Sequence, residues 1–518
     1  MSTLQIILLT IWGFITGIEP WFGSPFGLYF GFLTASIAGI IAGDPVTGVV
    51  TASTLFFAFL GVVSLGGAAV PEQRTAAVVI PPLVIATQLD PISAVPLAWA
   101  IAMLGSYFYT AAMTVNVYFC HLADKYAEEE NYRGVELANL LGLIPHGLSV
   151  AIPVFLFSMY GPEFVNTLVE RMPEWFWTGL KAAGGVMVTV GVALLLSALW
   201  RREFLPIYLL GFSLATYLNV PLIGIAVIGI GLIGAAYLLS GRAEKLLSAL
   251  KELKPVEERE RKLTDADIRK CFWRSWCLQN NLNWERLEGI GYCFSILPAL
   301  KKLFKGDELK ERVKAHLEFY NTTPYTHNII MGLDLALEER GADIELIRSI
   351  KSGLMGPLAG IGDTIFWFTL VPIIGGIAAS IAKGGHVWSI GVYILLWVAI
   401  MWSLKWWFTK TSYKYGLSIA ELFTGPAMEE ISLLMTAFGM LMLGGITAAY
   451  IPIYSPLKYE PWGFELQKIL DMIIPKFLPL IFVFFNTSLI RKGWSVIKVV
   501  TLLFIIGFVL GIVGIIGA

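Results

Sequence analysis

Apolar runs long enough to enter a lipid bilayer recur along almost the whole chain, and this recurrence constrains its fold more than any other feature. Of the 518 residues, 56% are hydrophobic and only 14% are charged, where a soluble domain carries about 25% charged residues. One core cannot hide that much apolar surface from water, so lipid is the expected solvent. Backbone polar groups in lipid must be satisfied internally, and runs of this length do so as helices. The expected fold class is an all-α polytopic membrane protein, a multi-span bundle with broken or re-entrant helices and cytoplasmic amphipathic helices.

The charges divide the chain. No lysine or arginine precedes Arg74, and the acidic residues before it are Glu19, Asp44 and Glu72. Apolar runs at 4–18, 27–43 and 46–65 are rich in Gly, Pro, Ser and Thr. Such interrupted runs suit discontinuous helices around a cavity, or plain spans that pack on small residues; composition leaves both open. Further runs lie at 76–88, 92–120, 143–160, 178–200, 204–219 and 222–240. Lys125 with Arg133, Arg201 with Arg202, and a basic cluster from Arg242 fall on one side, counted span by span. The positive-inside tendency puts that side in the cytoplasm. The start lacks the basic segment of a signal peptide, so the first run is expected to remain in the mature protein.

Residues 241–262 form a charged linker between an expected membrane unit at 1–240 and a second unit at 263–518. Within the second unit, 263–352 are expected as amphipathic, cytoplasmic-side helices and 353–518 as membrane spans. Leu309, Val313 and Leu317 recur every fourth residue between Asp307 and Tyr320, a helical stripe that either buries against the protein or lies in the membrane interface. Spans are expected near 365–382, 388–408, 430–453, 472–490 and 495–517. Trp402, Trp406 and Trp407 flank Lys405, the pattern of a helix reaching the headgroups.

Self-contained chemistry is not indicated. The chain has no P-loop, nucleophile elbow, dinucleotide fingerprint or HExxH motif, so neither a catalytic residue nor a cofactor is expected. Cys120, Cys271, Cys277 and Cys293 show no CxxC spacing, which points to free thiols. The five histidines (His121, His146, His316, His327 and His386) are dispersed, and no metal site is expected from them. A net charge of −1 gives no reason to expect nucleic acid.

Three segments remain. In 41–72, glycines and Pro71 interrupt an apolar run, which either frees backbone groups for a polar ligand or serves packing and a turn. In 281–304 and 316–339, Asn283, Glu285, Arg286, Asn321 and Thr322 stand beside aromatic residues. Sugar sites use that mixture, amides and carboxylates taking hydroxyls while rings cover the apolar face; the plainer use is a helix cap and surface ion pairs. In 353–373, Asp363 stands at the mouth of an apolar run beside Pro357 and several glycines. That placement suggests a broken helix with a functional carboxylate, or an N-cap aspartate.

These segments carry a resemblance. Residues 4–240 resemble the IIC component of the mannose/fructose/sorbose phosphotransferase family, in Gly43–Val49, in GGAAVPE at 66–72, in HLADKY at 121–126 and in the glycine pattern of 184–191. Residues 263–518 are similar to the IID component, in HLEFYNTTP at 316–324, GLMGPLAGIGD at 353–363, DIRKCFWRS at 267–275 and GYCFSILPAL at 291–300. The resemblance implies a multi-pass permease of a prokaryotic cell membrane, a IIC–IID fusion expected to assemble as a trimer in lipid. Its sugar would be phosphorylated on entry by cytoplasmic IIA and IIB partners, which carry the phosphohistidines. The implied sugar lining is Gln5, Asp44, Thr54, Asn283, Glu285, Asn321 and Asp363, with Glu72 and Arg286 behind.

The chain also departs from that family. Phe56 stands where a Glu or Gln follows Thr-Leu, Leu65 where a polar residue is common, Glu72 where an Asp follows proline, and Val371 where an arginine precedes proline. Each lost charge-assisted hydrogen bond would cost about 1.5–3 kcal/mol of sugar binding. The departures leave open a phosphorylation-independent facilitator or a non-transporting receptor on the same scaffold.

Overall fold

A computed structural model describes residues 1–63, 70–241, 262–418, 426–459, 461 and 464–518. The linker expected at 241–262 and the departure at Leu65 fall almost wholly outside these residues.

The chain opens with four short helices: α1 (Thr3–Ile18), α2 (Phe32–Ala42), α3 (Pro45–Ala58) and α4 (Gln73–Thr87). They hold 16, 11, 14 and 15 residues. At 1.5 Å per residue they reach only about 16–24 Å, short of a hydrocarbon core of roughly 30 Å. Of the two readings open for this region, the interrupted helices are the ones formed. Gly43, at φ 98°, ends α2, and the Asp44 carboxylate caps α3 through the Val46 and Thr47 amides. The two arms close so tightly that a Cβ at Gly39 would fall 2.2 Å from the Gly48 Cα.

Long helices follow: α5 (Val95–Glu128), α6 (Tyr132–Leu141), α7 (Leu143–Arg171), α8 (Glu174–Ala198), α9 (Leu205–Tyr217) and α10 (Leu222–Leu239). The run expected to cross at 204–219 is the 13-residue α9, too short for a crossing by itself.

Four helices of mixed polarity come next: α11 (Asp265–Arg274), α12 (Gly289–Leu303), α13 (Gly306–His316) and α14 (His327–Glu339). Leu309, Val313 and Leu317 are buried, and α13 packs on α12 and the end of α5. The stripe therefore buries against protein.

The remaining helices are α15 (Ile344–Lys383), α16 (Ser389–Tyr415), α17 (Pro426–Tyr450), α18 (Leu466–Ile473), α19 (Phe477–Arg491) and α20 (Val496–Ile512). Among the described residues, seven helices are long and apolar enough to cross a bilayer. An eighth crossing is available from α18 and α19, bent by 74° at their junction.

The expectation of a broken helix around Pro357 is corrected. Helix α15 runs unbroken through 40 residues and widens into a π-helical stretch at Asp363–Leu370. There the Val371 amide bonds the Phe366 carbonyl, five residues back. Pro372 follows directly. It has no N–H and its ring crowds the preceding turn, and a widened turn accommodates both.

The two halves interlock. Helix α8 packs along α19 and α20, α9 and α10 pack on α17, and α3 packs on α15. Small residues let the backbones touch: a Cβ at Gly444 would meet the Tyr208 carbonyl oxygen at 1.9 Å, and one at Gly211 the Leu441 oxygen at 1.8 Å. Buried hydrogen bonds cross the same seams, Tyr208 Oη to Thr447 Oγ1 at 2.8 Å and Asn486 Nδ2 to Thr189 Oγ1 at 2.6 Å.

A candidate ligand cavity between the two halves

The loop after α1 is an unusual backbone. Gly23, Gly27 and Gly31 have φ of 75°, 72° and 77°, and Ser24 has φ 51°. The buried Glu19 carboxylate organises it, accepting the Phe26 amide at 2.7 Å and the Leu28 amide at 3.2 Å. Aromatic donors from the other half then take its carbonyls. Tyr325 Oη and Trp397 Nε1 donate to Ser24 O at 3.2 and 3.1 Å, Trp402 Nε1 to Pro25 O at 2.9 Å, and Tyr393 Oη to Gly27 O at 2.8 Å. Glycine is required at 27, where a Cβ would fall 2.6 Å from the Trp397 ring.

A strap at 283–288 faces that loop. The Asn283 side chain accepts the Glu285 and Arg286 amides at 3.0 and 2.9 Å, folding a tight turn. Leu287 is held at φ 49°, a strained position for a branched side chain. Backbone bonds tie the strap to Tyr320, from Glu288 N to Tyr320 O at 2.9 Å and from Tyr320 N to Arg286 O at 3.2 Å. Outside, Arg286 forks onto Asp124 of α5 at 2.6 and 2.7 Å.

Between loop and strap lies a cavity of about 130 Å³, room for several waters at the 10–15 Å³ that each needs. Trp21, Tyr29 and Phe30 come from the first half, and Gln279, Glu288, Asn321, Thr322, Asp363 and Trp367 from the second. Glu288 precedes α12 but does not cap it. Its carboxylate turns to the cavity, accepting Gln279 Nε2 at 2.6 Å and the Thr322 amide at 2.9 Å. Burial raises its pKa to about 8 against those two hydrogen bonds. Asp363 accepts Thr323 Oγ1 at 2.8 Å, and that hydroxyl is also 3.0 Å from Ala359 O. Trp21 Nε1 and Thr322 Oγ1 line the cavity with no partner among the described residues. Among the described residues, no lysine or arginine lines it. Arg74 stands behind the wall, 4.8 Å from the Trp21 ring, paired with Glu72. Buried Lys405 stands behind the other wall, donating to Pro324 O at 2.9 Å and Ser275 O at 3.2 Å.

Two of the nine candidate residues, Asn321 and Asp363, line this cavity. Asp363 lies within α15, so the N-cap reading does not apply to it. Thr326, not Asn321, precedes α14. Asn283 and Arg286 build the strap, and Glu285 pairs with His121 at 3.0 Å on its outer side. Glu72 is the buried partner of Arg74, through Nε at 2.6 Å. Gln5 donates to Ala42 O at 2.9 Å, Asp44 caps α3, and Thr54 donates to Val50 O at 3.2 Å. These last three are not brought to the cavity. Among the departures, the Phe56 ring is buried with its tip against Gly375 of α15, where a Cβ would fall 2.2 Å from it, and Val371 is buried within α15.

Glu288, Gln279 and Trp21 were missed. The argument that singled out Asp363, an acid at the mouth of an apolar run, applies equally to Glu288 before GIGYCFSILPAL. Trp21 carried no comparable signal, because only the folded loop turns its ring inward.

Comparison with known proteins places the sequence. Residues 3–235 match the family described as PTS system sorbose-specific IIC component, and 262–516 match PTS system mannose/fructose/sorbose family IID component. The second half is 34% identical to the PTS system mannose-specific EIID component of Escherichia coli, over 49% of this chain and 94% of that protein. The first half is 32% identical to the PTS system sorbose-specific EIIC component of Lacticaseibacillus casei, over 44% of this chain and 83% of that protein. A cryo-EM structure of a mannose transporter with microcin E492 aligns at 31% identity and a TM-score of 0.30, over 50% of this chain and 100% of that one.

Proposed function

Because the chain belongs to the mannose/fructose/sorbose family of the phosphotransferase system and joins its IIC and IID permease components in one polypeptide, we propose that the cavity between its halves receives the sugar. Components of this class work with IIA and IIB partners. The reading divides the chain into units at 1–240 and 263–518 joined by the charged linker, and includes assembly as a trimer in lipid. Fusion holds the two components at equal number and high effective concentration.

One observation carries the reading. The cavity combines carboxyls (Glu288, Asp363), amides (Gln279, Asn321) and indole rings (Trp21, Trp367) at the seam of the halves. That set suits a polyhydroxylated ring, whose hydroxyls need acceptors and donors while its C–H face needs an aromatic surface.

The test is phosphoenolpyruvate-dependent sugar phosphorylation in membranes holding this chain, supplied with the general phosphotransferase proteins and matching IIA and IIB units. Hexoses, amino sugars and polyols form the panel. Phosphorylation of one sugar, reduced by Asn321→Ala, supports the reading. Silence across the panel, with chain folded and partners active, overturns it.

A further inference from the structure

Glu288 is the feature that sugar binding alone does not explain. Its side chain is 1% exposed, and it receives two donors, Gln279 Nε2 and the Thr322 amide. A cap role was open to it at the start of α12, and the structure leaves that role unfilled. Among the described residues no cation bonds it: Lys405 bonds carbonyls behind the Pro324 loop, Asp363 faces it across the cavity, and Tyr320 offers its backbone carbonyl below. Each carboxylate oxygen has acceptor capacity left after its one hydrogen bond, and the residue lines the cavity. The other side of the strap is open to solvent in a cleft lined by Glu285, Arg286, Lys314, Glu318 and Phe319. The carboxylate thus sits one strap away from a surface that a soluble partner can reach.

We propose that Glu288 is the general base of phosphoryl transfer to the sugar, an assignment that rests on the function proposed above. A sugar hydroxyl held against the carboxylate attacks the phosphorus of a phosphohistidine on a soluble partner. The O–P bond forms as the P–N bond breaks, and the electron pair of that bond stays on the imidazole nitrogen. The hydroxyl proton passes to a Glu288 oxygen and leaves to water after the sugar phosphate departs. A base is most effective when its pKa lies near the working pH. Burial, the largest influence on Glu288, brings it to about 8, against the opposing hydrogen bonds, with Asp363 raising and Lys405 lowering it further. Asp363 remains a hydrogen-bonding ligand, held by Thr323.

The experiment uses the full chain in membranes and a pre-phosphorylated partner. It measures sugar affinity by equilibrium binding and phosphoryl transfer by single turnover. Glu288→Gln keeps shape and volume, and the Gln279 amide can turn to meet the new side chain. The expected result is a transfer rate at saturating sugar reduced about 10²–10⁴-fold, over and above whatever sugar affinity the lost charged acceptor takes away. The wild-type rate should rise tenfold per pH unit on its acidic side and level off near the Glu288 pKa of about 8. Gln279→Leu removes a donor that favours the charged carboxylate, so it should move that limb to higher pH. Transfer by Glu288→Gln within threefold of wild type overturns the assignment, as does a rate loss matched by lost affinity. If Glu288→Gln does not fold, an unmoved limb in Gln279→Leu overturns it. A wild-type chain that binds sugar but accepts no phosphoryl group refutes the function proposed above, and this assignment with it.

Discussion

Asp363→Asn separates a sugar ligand from a structural carboxylate. The wild-type side chain is half-buried inside α15 and accepts Thr323 Oγ1 at 2.8 Å. Asparagine keeps an oxygen for that hydroxyl and nearly the same volume, and the helix needs no cap at this position because it continues to Lys383. Stability should therefore change by no more than about 0.5 kcal/mol, as for a substitution that breaks no buried network. Binding should suffer more. A charged acceptor on a sugar hydroxyl contributes about 1.5–3 kcal/mol, and 1.4 kcal/mol is about tenfold. The expected loss of sugar affinity is about 10–150-fold, read by calorimetry in nanodiscs beside a thermal melt. Affinity within threefold of wild type would remove Asp363 from the ligand set. A variant that fails to insert or unfolds early would show the carboxylate to be structural.

Four further outcomes are expected. Gly444→Ala places a methyl 1.9 Å from the Tyr208 carbonyl and should wedge α9 from α17 at a cost of about 1–3 kcal/mol, seen as early melting; a melt unchanged from wild type contradicts the packing. Tyr393→Phe strands the Gly27 carbonyl that its hydroxyl now serves, costing about 1–3 kcal/mol, and should raise protease cleavage of the 20–31 loop. Arg286→Ala and Asp124→Ala should show a coupling of about 1 kcal/mol in a double-mutant cycle, since the fork is geometrically good but partly exposed; additive losses would deny the link between strap and α5. Glu288 is raised to about 8, and Asp334 and Glu338 to about 7, each chiefly by burial. A raised carboxyl binds its proton better when folded, so its stability is present below the unfolded pKa and lost as pH climbs through the folded one. Melting should accordingly fall between pH 5 and 9, and Glu288→Gln should remove most of the part above pH 7.

The helical membrane architecture was legible because hydropathy acts over whole segments, and most expected runs became helices within a few residues. The site was legible as segments more than as residues. Asn283, Glu285 and Arg286 marked the strap, yet the residues it presents to the cavity are Leu287 and Glu288, the next two in sequence. Spacing cannot show this, because the left-handed backbone at Leu287 breaks any regular alternation of side chains. Around Pro357 the composition pointed to a break, and the helix instead absorbed its irregularity in a wide turn. The polar residues of 41–72 looked like ligands because local capping and ligand binding use the same side chains. Asp44 and Gln5 were taken by the chain's own backbone amides and carbonyls.

The wide turn at Asp363–Leu370 also sets a phase. Twelve residues separate Asp363, at the cavity, from Gly375, against Phe56 of α3. A regular helix would turn about 1200° over that distance, leaving the two about 120° apart around the axis. If the wide turn takes up one residue, the rotation is about 1100°, within about 20° of three whole turns, and both contacts meet the first half of the chain. The length of this stretch is therefore fixed by two partners at once. A one-residue deletion that closes the wide turn into regular helix leaves eleven residues turning about 1100°, so Asp363 and Gly375 keep their phase, whereas a deletion that keeps the wide turn swings one of them away by about 100°. Insertions and deletions between them should survive only where the wide turn takes up or gives back the residue.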